Sequence, residues 1–374
     1  MEPQMNTDEL RYRFYATASM GVKRRLLLSV FICVHLWFIS SCGSKSTDLR
    51  TLVPADTLVY LETNDLGAAL QPVVQSGGSK MYVSSLNGVQ LAIAVTGIES
   101  TEQKLNDEQS NAQIKPKFVA VADTHAWHFQ AVRFAEDKLG AFVEKAYGSK
   151  PTLEEPEHPG GGRDIIWTAA DGRKAYAFVI TSIVYFSNDR ESLDKVLAVR
   201  NGAGNLASTG KVPSPPADAL AAGYASTQGI AQIADIAGLK VAASAGDDPR
   251  VQSAVAAVLP QLIREMITDV VWTEKRTDGG VADTYDIRMP DNVTAALKDT
   301  QQGDLEVRLR NTIVALLADS KLDDNVRGQV ADAIAATAKA ADKTQIRFAA
   351  TGMQRITTSD TGVMGVLTAQ ISQQ

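Results

Sequence analysis

Cysteine and histidine are scarce: two and four of them occur among 374 residues, which leaves little material for a disulfide framework or a metal centre. Aromatic side chains make up 6% of the chain, so Trp127, Trp167 and Trp272 are expected to be spent in the core, where large rings bury the most area. Excess positive charge is missing too. The net charge is −6, and residues 1–41 contribute +2, so the remainder carries −8, a balance that argues against nucleic acid and against electrostatic adhesion to anionic lipid. The motifs Gly-x-Ser-x-Gly, Gly-x-x-x-x-Gly-Lys and His-Glu-x-x-His do not occur, which removes the common serine hydrolase, nucleotidase and zincin signatures.

What is present is an export pattern. Lys23-Arg24-Arg25 precedes an apolar-rich segment from Leu26 to Ile39, shorter than the roughly 20 apolar residues that span a bilayer. The segment closes on Ile39-Ser40-Ser41-Cys42, with small residues before the cut. Met20 stands just before the basic triplet, so Met1 and Met20 are both candidate starts. The Cys42 ending resembles a lipobox, which implies that residues 1–41 are removed and that Cys42 is lipidated. Trp37, Phe38 and Ile39 depart mildly from the usual pattern. Cys33 would go with the leader, so the remaining 333 residues would hold Cys42 alone, form no internal disulfide, and depend on burial for stability. Acylation would also bar thiol catalysis. Residues 42–53 then form the lipidated end and its tether, and attachment rests on acyl chains. Gly43 in place of Asp favours sorting to the outer membrane, facing the periplasm.

Two halves follow. In residues 54–200, Leu58 to Thr63 reads as a strand and Leu66, Ala69, Leu70 and Val73 form a helical stripe. Val89 to Thr96 and Phe118 to Ala122 are strand-like, separated by a polar stretch, Glu99 to Lys117, expected as a solvated loop. A helix is predicted from His128 to Tyr147, then a meander over 164–187 turning at Asp171-Gly172, then a helix from Arg190. Residues 201–217, rich in Gly, Ser and Pro, are expected as a linker. In residues 218–374 come an amphipathic helix from Pro249 to Met266, a hairpin turning at Asp278-Gly279, Ala-rich helices at 305–317 and 323–341, and strands at 344–350 and 362–371. Pro216-Ala217-Asp218 with Tyr224, Thr227 and Ile230 echoes Pro54-Ala55-Asp56 with Tyr60, Thr63 and Leu66. The predicted class is α+β, two similar-sized modules of mostly antiparallel sheet with helices packed on one face.

Three segments carry a wider resemblance: Pro54-Ala55-Asp56-Thr57-Leu58-Val59-Tyr60-Leu61-Glu62-Thr63-Asn64-Asp65-Leu66, Phe118-Val119-Ala120-Val121-Ala122-Asp123-Thr124, and Tyr185-Phe186-Ser187-Asn188-Asp189-Arg190-Glu191-Ser192-Leu193. With them the chain resembles a poorly characterised group of bacterial envelope lipoproteins classed as a domain of unknown function. That resemblance covers the first half well and the second poorly. It implies an extracytoplasmic, non-catalytic protein and brings no catalytic residues to carry over. Separately, no cofactor is expected, and the expected partner besides the membrane is an envelope protein or polymer.

Candidate chemistry is sparse. His125 and His128 lie three apart, and Asp123 or Glu136 could complete a hydrolytic zinc set. Without an intervening Glu that pairing is a weak signal, and the competing reading is an ordinary helix entry. Glu154-Glu155-Pro156-Glu157-His158-Pro159 followed by three glycines lacks the helix start that an anion cradle needs. An exposed pair among the three tryptophans would favour carbohydrate stacking. A holdase for other envelope proteins would need an exposed apolar groove.

Overall fold

The computed structural model describes residues 46–75, 86–104, 110–158, 160–243, 245, 248–298, 304–338, 344–349 and 351–366. After a short 3-10 turn at Leu49–Leu52, the first half runs β1 (Val59–Thr63), α1 (Leu66–Gln75), β2 (Gln90–Lys104), β3 (Ser110–Asp123), α2 (His128–Phe134), a π-helical turn (Ala135–Leu139), α3 (Gly140–Tyr147), β4 (Thr152–Glu154), β5 (Arg163–Thr168), β6 (Lys174–Ile180), β7 (Ile183–Ser187) and α4 (Arg190–Arg200). The second half runs β8 (Ala219–Ser226), α5 (Thr227–Ala243), α6 (Pro249–Met266), β9 (Asp269–Thr277), β10 (Gly280–Arg288), α7 (Asp291–Leu297), α8 (Leu305–Leu316), α9 (Asp324–Ala336), β11 (Thr344–Ala349) and β12 (Gly352–Ser359).

The strands join in one antiparallel sheet of twelve, ordered β11-β12-β10-β9-β8-β1-β2-β3-β7-β6-β5-β4. The class is therefore α+β. The two halves meet at β1 and β8, which pair with Tyr60 opposite Tyr224. Moving outward, each half repeats one plan: a strand and helix, a hairpin (β2–β3 or β9–β10), helices, and a second hairpin (β6–β7 or β11–β12) whose later strand docks on the first hairpin. The two Pro-Ala-Asp segments lead into the matching strands β1 and β8, and a register shift between Ala219 and Ala221 absorbs part of the second copy's extra length.

Alternation decides what covers each face. Tyr60, Ala92, Ala94, Val119, Val121, Phe178, Tyr185 and Tyr224 point to one side and pack with Leu193 and Val196 of α4 and with Leu49, Val53, Leu206 and Val212. The opposite parity, Ile165, Trp167, Ala175, Ala177, Val179, Val184 and Phe186, packs on Ala131, Ala135 and Val143 of the α2–α3 helix. Strands β5–β7 are thus apolar on both faces, so in the first half helices cover both. Helices α5–α9 pack mainly on one another, around Val255, Leu262, Leu297, Ile313 and Val330.

Two expectations are corrected. The polar stretch between Glu99 and Lys117 pairs as a continuous ribbon to Lys104 and Ser110, beyond a register shift between Val95 and Gly97; ladder bonds are main-chain bonds, so polar composition does not prevent pairing. Of the strand expected at 362–371, residues 362–366 are helical and 367–371 lie outside the described residues; the strand that follows β11 is β12, where Gly352 at φ +151° lets the chain double back. The 201–217 stretch, expected as a linker, is hydrogen-bonded to the start of the described chain: Leu206 N–H donates to Val53 O at 3.0 Å, and Arg50 donates to Val212 O at 2.7 Å and to Ser214 Oγ at 2.6 Å.

Candidate functional site

The described chain begins at a stitched segment. Thr47 N–H donates to Gln90 Oε1 at 2.9 Å and its hydroxyl donates to Asp123 Oδ2 at 2.6 Å, while the Gln90 amide donates to Ser46 Oγ and to Thr47 O, each at 2.9 Å. Gln90 and Asp123 are register partners across β2 and β3, so one rung of the sheet holds the start of the body. Asp123 also accepts from the His125 amide at 3.0 Å and from Ser182 Oγ at 2.9 Å. Burial works against ionising this carboxyl, but the bonds from Thr47, His125 and Ser182 outweigh it and hold Asp123 below the usual carboxylate range. Beyond the rung, Leu49 and Val53 enter the core and Arg50 is bidentate to Asp48.

Cys42 lies outside the described residues. His125, in the left-handed region at φ +50°, has Nδ1 3.4 Å from Asp123 Oδ1. His128 is exposed as the first residue of α2, and Glu136 lies in the π-helical turn. Among the described residues no group of three or more His, Cys, Asp and Glu side chains is placed to hold a metal ion. The zinc set suspected at His125 and His128 is not assembled there.

The left-handed turn at His125 throws the chain outward before α2 begins. Trp127 and Phe129 are consequently 73% and 60% exposed, whereas Trp167 and Trp272 are 2% and 6% exposed. The expectation that all three tryptophans are buried holds for two of them. Trp127 sits on an ordered cap: its N–H donates to Gln130 Oε1 at 3.1 Å and its carbonyl accepts from Gln130 N–H at 2.8 Å. Elsewhere, His158 docks inward, its Nδ1 2.7 Å from Asp164 Oδ2 and its ring 4.6 Å from that of Phe178. Gly162, at φ +96°, is needed for that approach, since a Cβ would lie 2.6 Å from the Phe178 ring.

Buried acids went unnoticed in the sequence. Glu62 accepts from the Tyr60 hydroxyl at 3.1 Å and leaves Oε1 without a hydrogen-bond partner. Burial pushes it up to about 7, against the opposing pull of Tyr60 and Arg50. Glu274, 0% exposed, faces Asp283 across β9 and β10 and accepts from Met364 N–H at 3.0 Å. Asp283 in turn accepts from the Trp272 indole N–H at 2.8 Å. Burial raises both carboxyls, and the mutual repulsion of two close negative charges adds to it for Glu274. Parity was the missed signal: Glu62 shares its strand face with Tyr60, and Glu274 shares its own with Trp272.

A polar cleft of about 370 Å³ opens at the far end of β1 from the Gln90–Asp123 rung, lined by Asp56, Thr96, Lys117, Asp189, Ser192 and Lys195 among others. Its lysines are already paired, Lys117 with Glu99 at 2.8 Å and Lys195 with Glu191 at 3.6 Å. No helix among the described residues is long and apolar enough to cross a membrane.

Neither a scan against protein-family models nor a search of curated proteins finds a match. Among solved structures the chain is similar to crystal form III of TP0453, at 10% identity over 87% of this chain and 99% of that one, TM-score 0.40. Crystal form I of TP0453 gives 9% identity over 87% and 98% of the two chains, TM-score 0.38. Similarity of that extent fixes neither activity nor partner.

Proposed function

We propose that this chain is a lipid-anchored extracytoplasmic envelope protein, held to its bilayer by acyl chains on Cys42 and acting by binding or scaffolding without turnover. The observation that carries the reading is the junction of sequence and fold. A basic triplet, an apolar-rich segment and a small-residue cut lead to Cys42, and four residues later, at Ser46, the chain is already bonded into the sheet. A lipid on Cys42 would therefore keep the body close to the membrane surface on a short leash. Residence in the outer membrane, facing the periplasm, follows from Gly43 in the finer form of the proposal. The polar cleft, at the other end of β1, is the surface left open to an envelope protein or polymer.

Mass analysis of the native N-terminal peptide tests the anchor, together with fractionation of Cys42→Ala. The variant should keep a folded body and either leave the membrane fraction or accumulate unprocessed. An unmodified native peptide running through Ser41 and Cys42 would overturn the reading, as would a processed Cys42→Ala protein still held in membranes.

A further inference from the structure

We propose that Trp127 and Phe129 form a contact with the bilayer interface that lays this face of the body on the leaflet holding the Cys42 acyl chains. The inference rests on the anchor reading above and adds an orientation to it. Single exposed apolar side chains are ordinary. Here two large aromatics, one on each side of exposed His128, project from a single capped turn.

Reach is the decisive quantity. Thr47 follows Cys42 by five residues, a span of at most about 18 Å. Thr47 is hydrogen-bonded to Asp123, and Trp127 follows Asp123 by four residues, at most about 14 Å of chain. The aromatic pair is therefore tied to the point where the leash enters the fold by one hydrogen bond and a few residues of chain, which limits how far from a lipid on Cys42 it can sit. Asp123 couples the two sites physically, since it accepts both from Thr47 of the leash and from the His125 amide of the turn that presents Trp127.

The chemistry suits that occupant. Tryptophan combines a large apolar ring with an N–H donor and concentrates at membrane–water interfaces. Residues 42–374 carry −8, so attraction to anionic headgroups is weak and an orienting contact must come from groups that do not depend on charge. Aromatic insertion beside a covalent lipid needs little affinity of its own, because the anchor already supplies the local concentration.

The protein purified from membranes is reconstituted in phosphatidylcholine vesicles, with or without bromine on the acyl chains, and its tryptophan emission is read. Mass analysis of the same sample reports whether Cys42 is acylated. If it is not, protein beginning at Cys42, which lacks Cys33 and Trp37, is coupled through the Cys42 thiol to a maleimide lipid in the same vesicles, so the contact is measured whether or not the natural lipid exists. Trp127 emission should be quenched by brominated chains and shielded from aqueous acrylamide. Trp127→Phe should lose the quenchable component, leaving buried Trp167 and Trp272, and Phe129→Ser should weaken quenching with the circular dichroism unchanged. Equal emission in brominated and plain vesicles, or full acrylamide access to Trp127 while Cys42 is held by lipid, overturns the proposal. Shielding that grows with protein concentration without vesicles would assign the pair to a second copy and also overturn it.

Discussion

Tyr60 of β1 and Tyr224 of β8 face each other across the seam that joins the two halves, and both rings lie in the same core beneath α4 and the Leu49–Val53 segment. The seam continues past the strands, where Leu58 O accepts from Ser226 N–H at 2.9 Å and from its hydroxyl at 3.1 Å. Gly229, in the first turn of α5, rides directly over that carbonyl.

A Cβ at Gly229 would lie 2.3 Å from Leu58 O, and main chain bonded on both sides cannot yield cheaply. Gly229→Ala should therefore lower stability by about 1–3 kcal/mol. Gly279→Ala, at a turn with nothing within 4 Å of the added atom, serves as the near-neutral control. Chemical denaturation checks both, and equal midpoints would refute a tight seam.

Asp123 holds the leash through an ionised carboxylate. Because its folded pKa lies below the usual range, its stabilisation is present above the unfolded value of about 3.9 and is lost as pH falls through the folded one. Protection factors of the amides in residues 46–53, taken relative to the intrinsic exchange rate at each pH, should fall in acid, and Asp123→Asn should reproduce that loosening at neutral pH at a cost of about 1–3 kcal/mol. Unchanged exchange in the variant would show that Gln90 alone secures the segment.

Glu62 has the opposite sign. Burial lifts its carboxyl to about 7, so between the unfolded value and that point the folded state binds the extra proton. Stability should fall as pH rises from about 4.5 to about 7, by about 3 kcal/mol from this group. Glu62→Gln should flatten that slope in urea titrations run across the window. A variant as steep as the parent would locate the dependence elsewhere.

Gly362 closes the last helical turn over the buried pair Glu274 and Asp283. Its φ is +66°, and a Cβ would lie 2.4 Å from Glu274 Oε2. Gly362→Ala should cost at least about 1–2 kcal/mol from the backbone alone. It should also free residues 362–366, with faster exchange at the Met364 amide and altered Trp272 emission. Retained protection at Met364 would count against this clasp.

Much of the α+β plan was legible because alternation and helical spacing are strong in β1, β5–β7, α4, α6 and the β9–β10 hairpin. The Tyr60 and Tyr224 echo was legible as a pattern, but only pairing turned it into a shared seam. The β2–β3 ribbon beyond Gly97 was not, since its main-chain ladder leaves no apolar trace. Nor was β12, whose apolar members Met353 and Ile356 do not keep a two-residue period. At the candidate site, His125 and His128 stood out because histidine is rare here, yet the backbone turn at His125 gives them different surroundings. Thr47 and Gln90 went unread, and Asp123 was read only as a possible zinc ligand: hydrogen-bonding side chains far apart in sequence carry no local signature of meeting.

Because Gln90 and Asp123 belong to neighbouring strands well inside the sheet's order, a pull exerted through a lipid on Cys42 would be delivered to an interior rung and not to an edge. Under such a pull the hydrogen bonds from Thr47 to Gln90 and Asp123 would be loaded before any strand end. The attachment should give way by detaching residues 46–53, leaving the twelve-stranded plate itself whole.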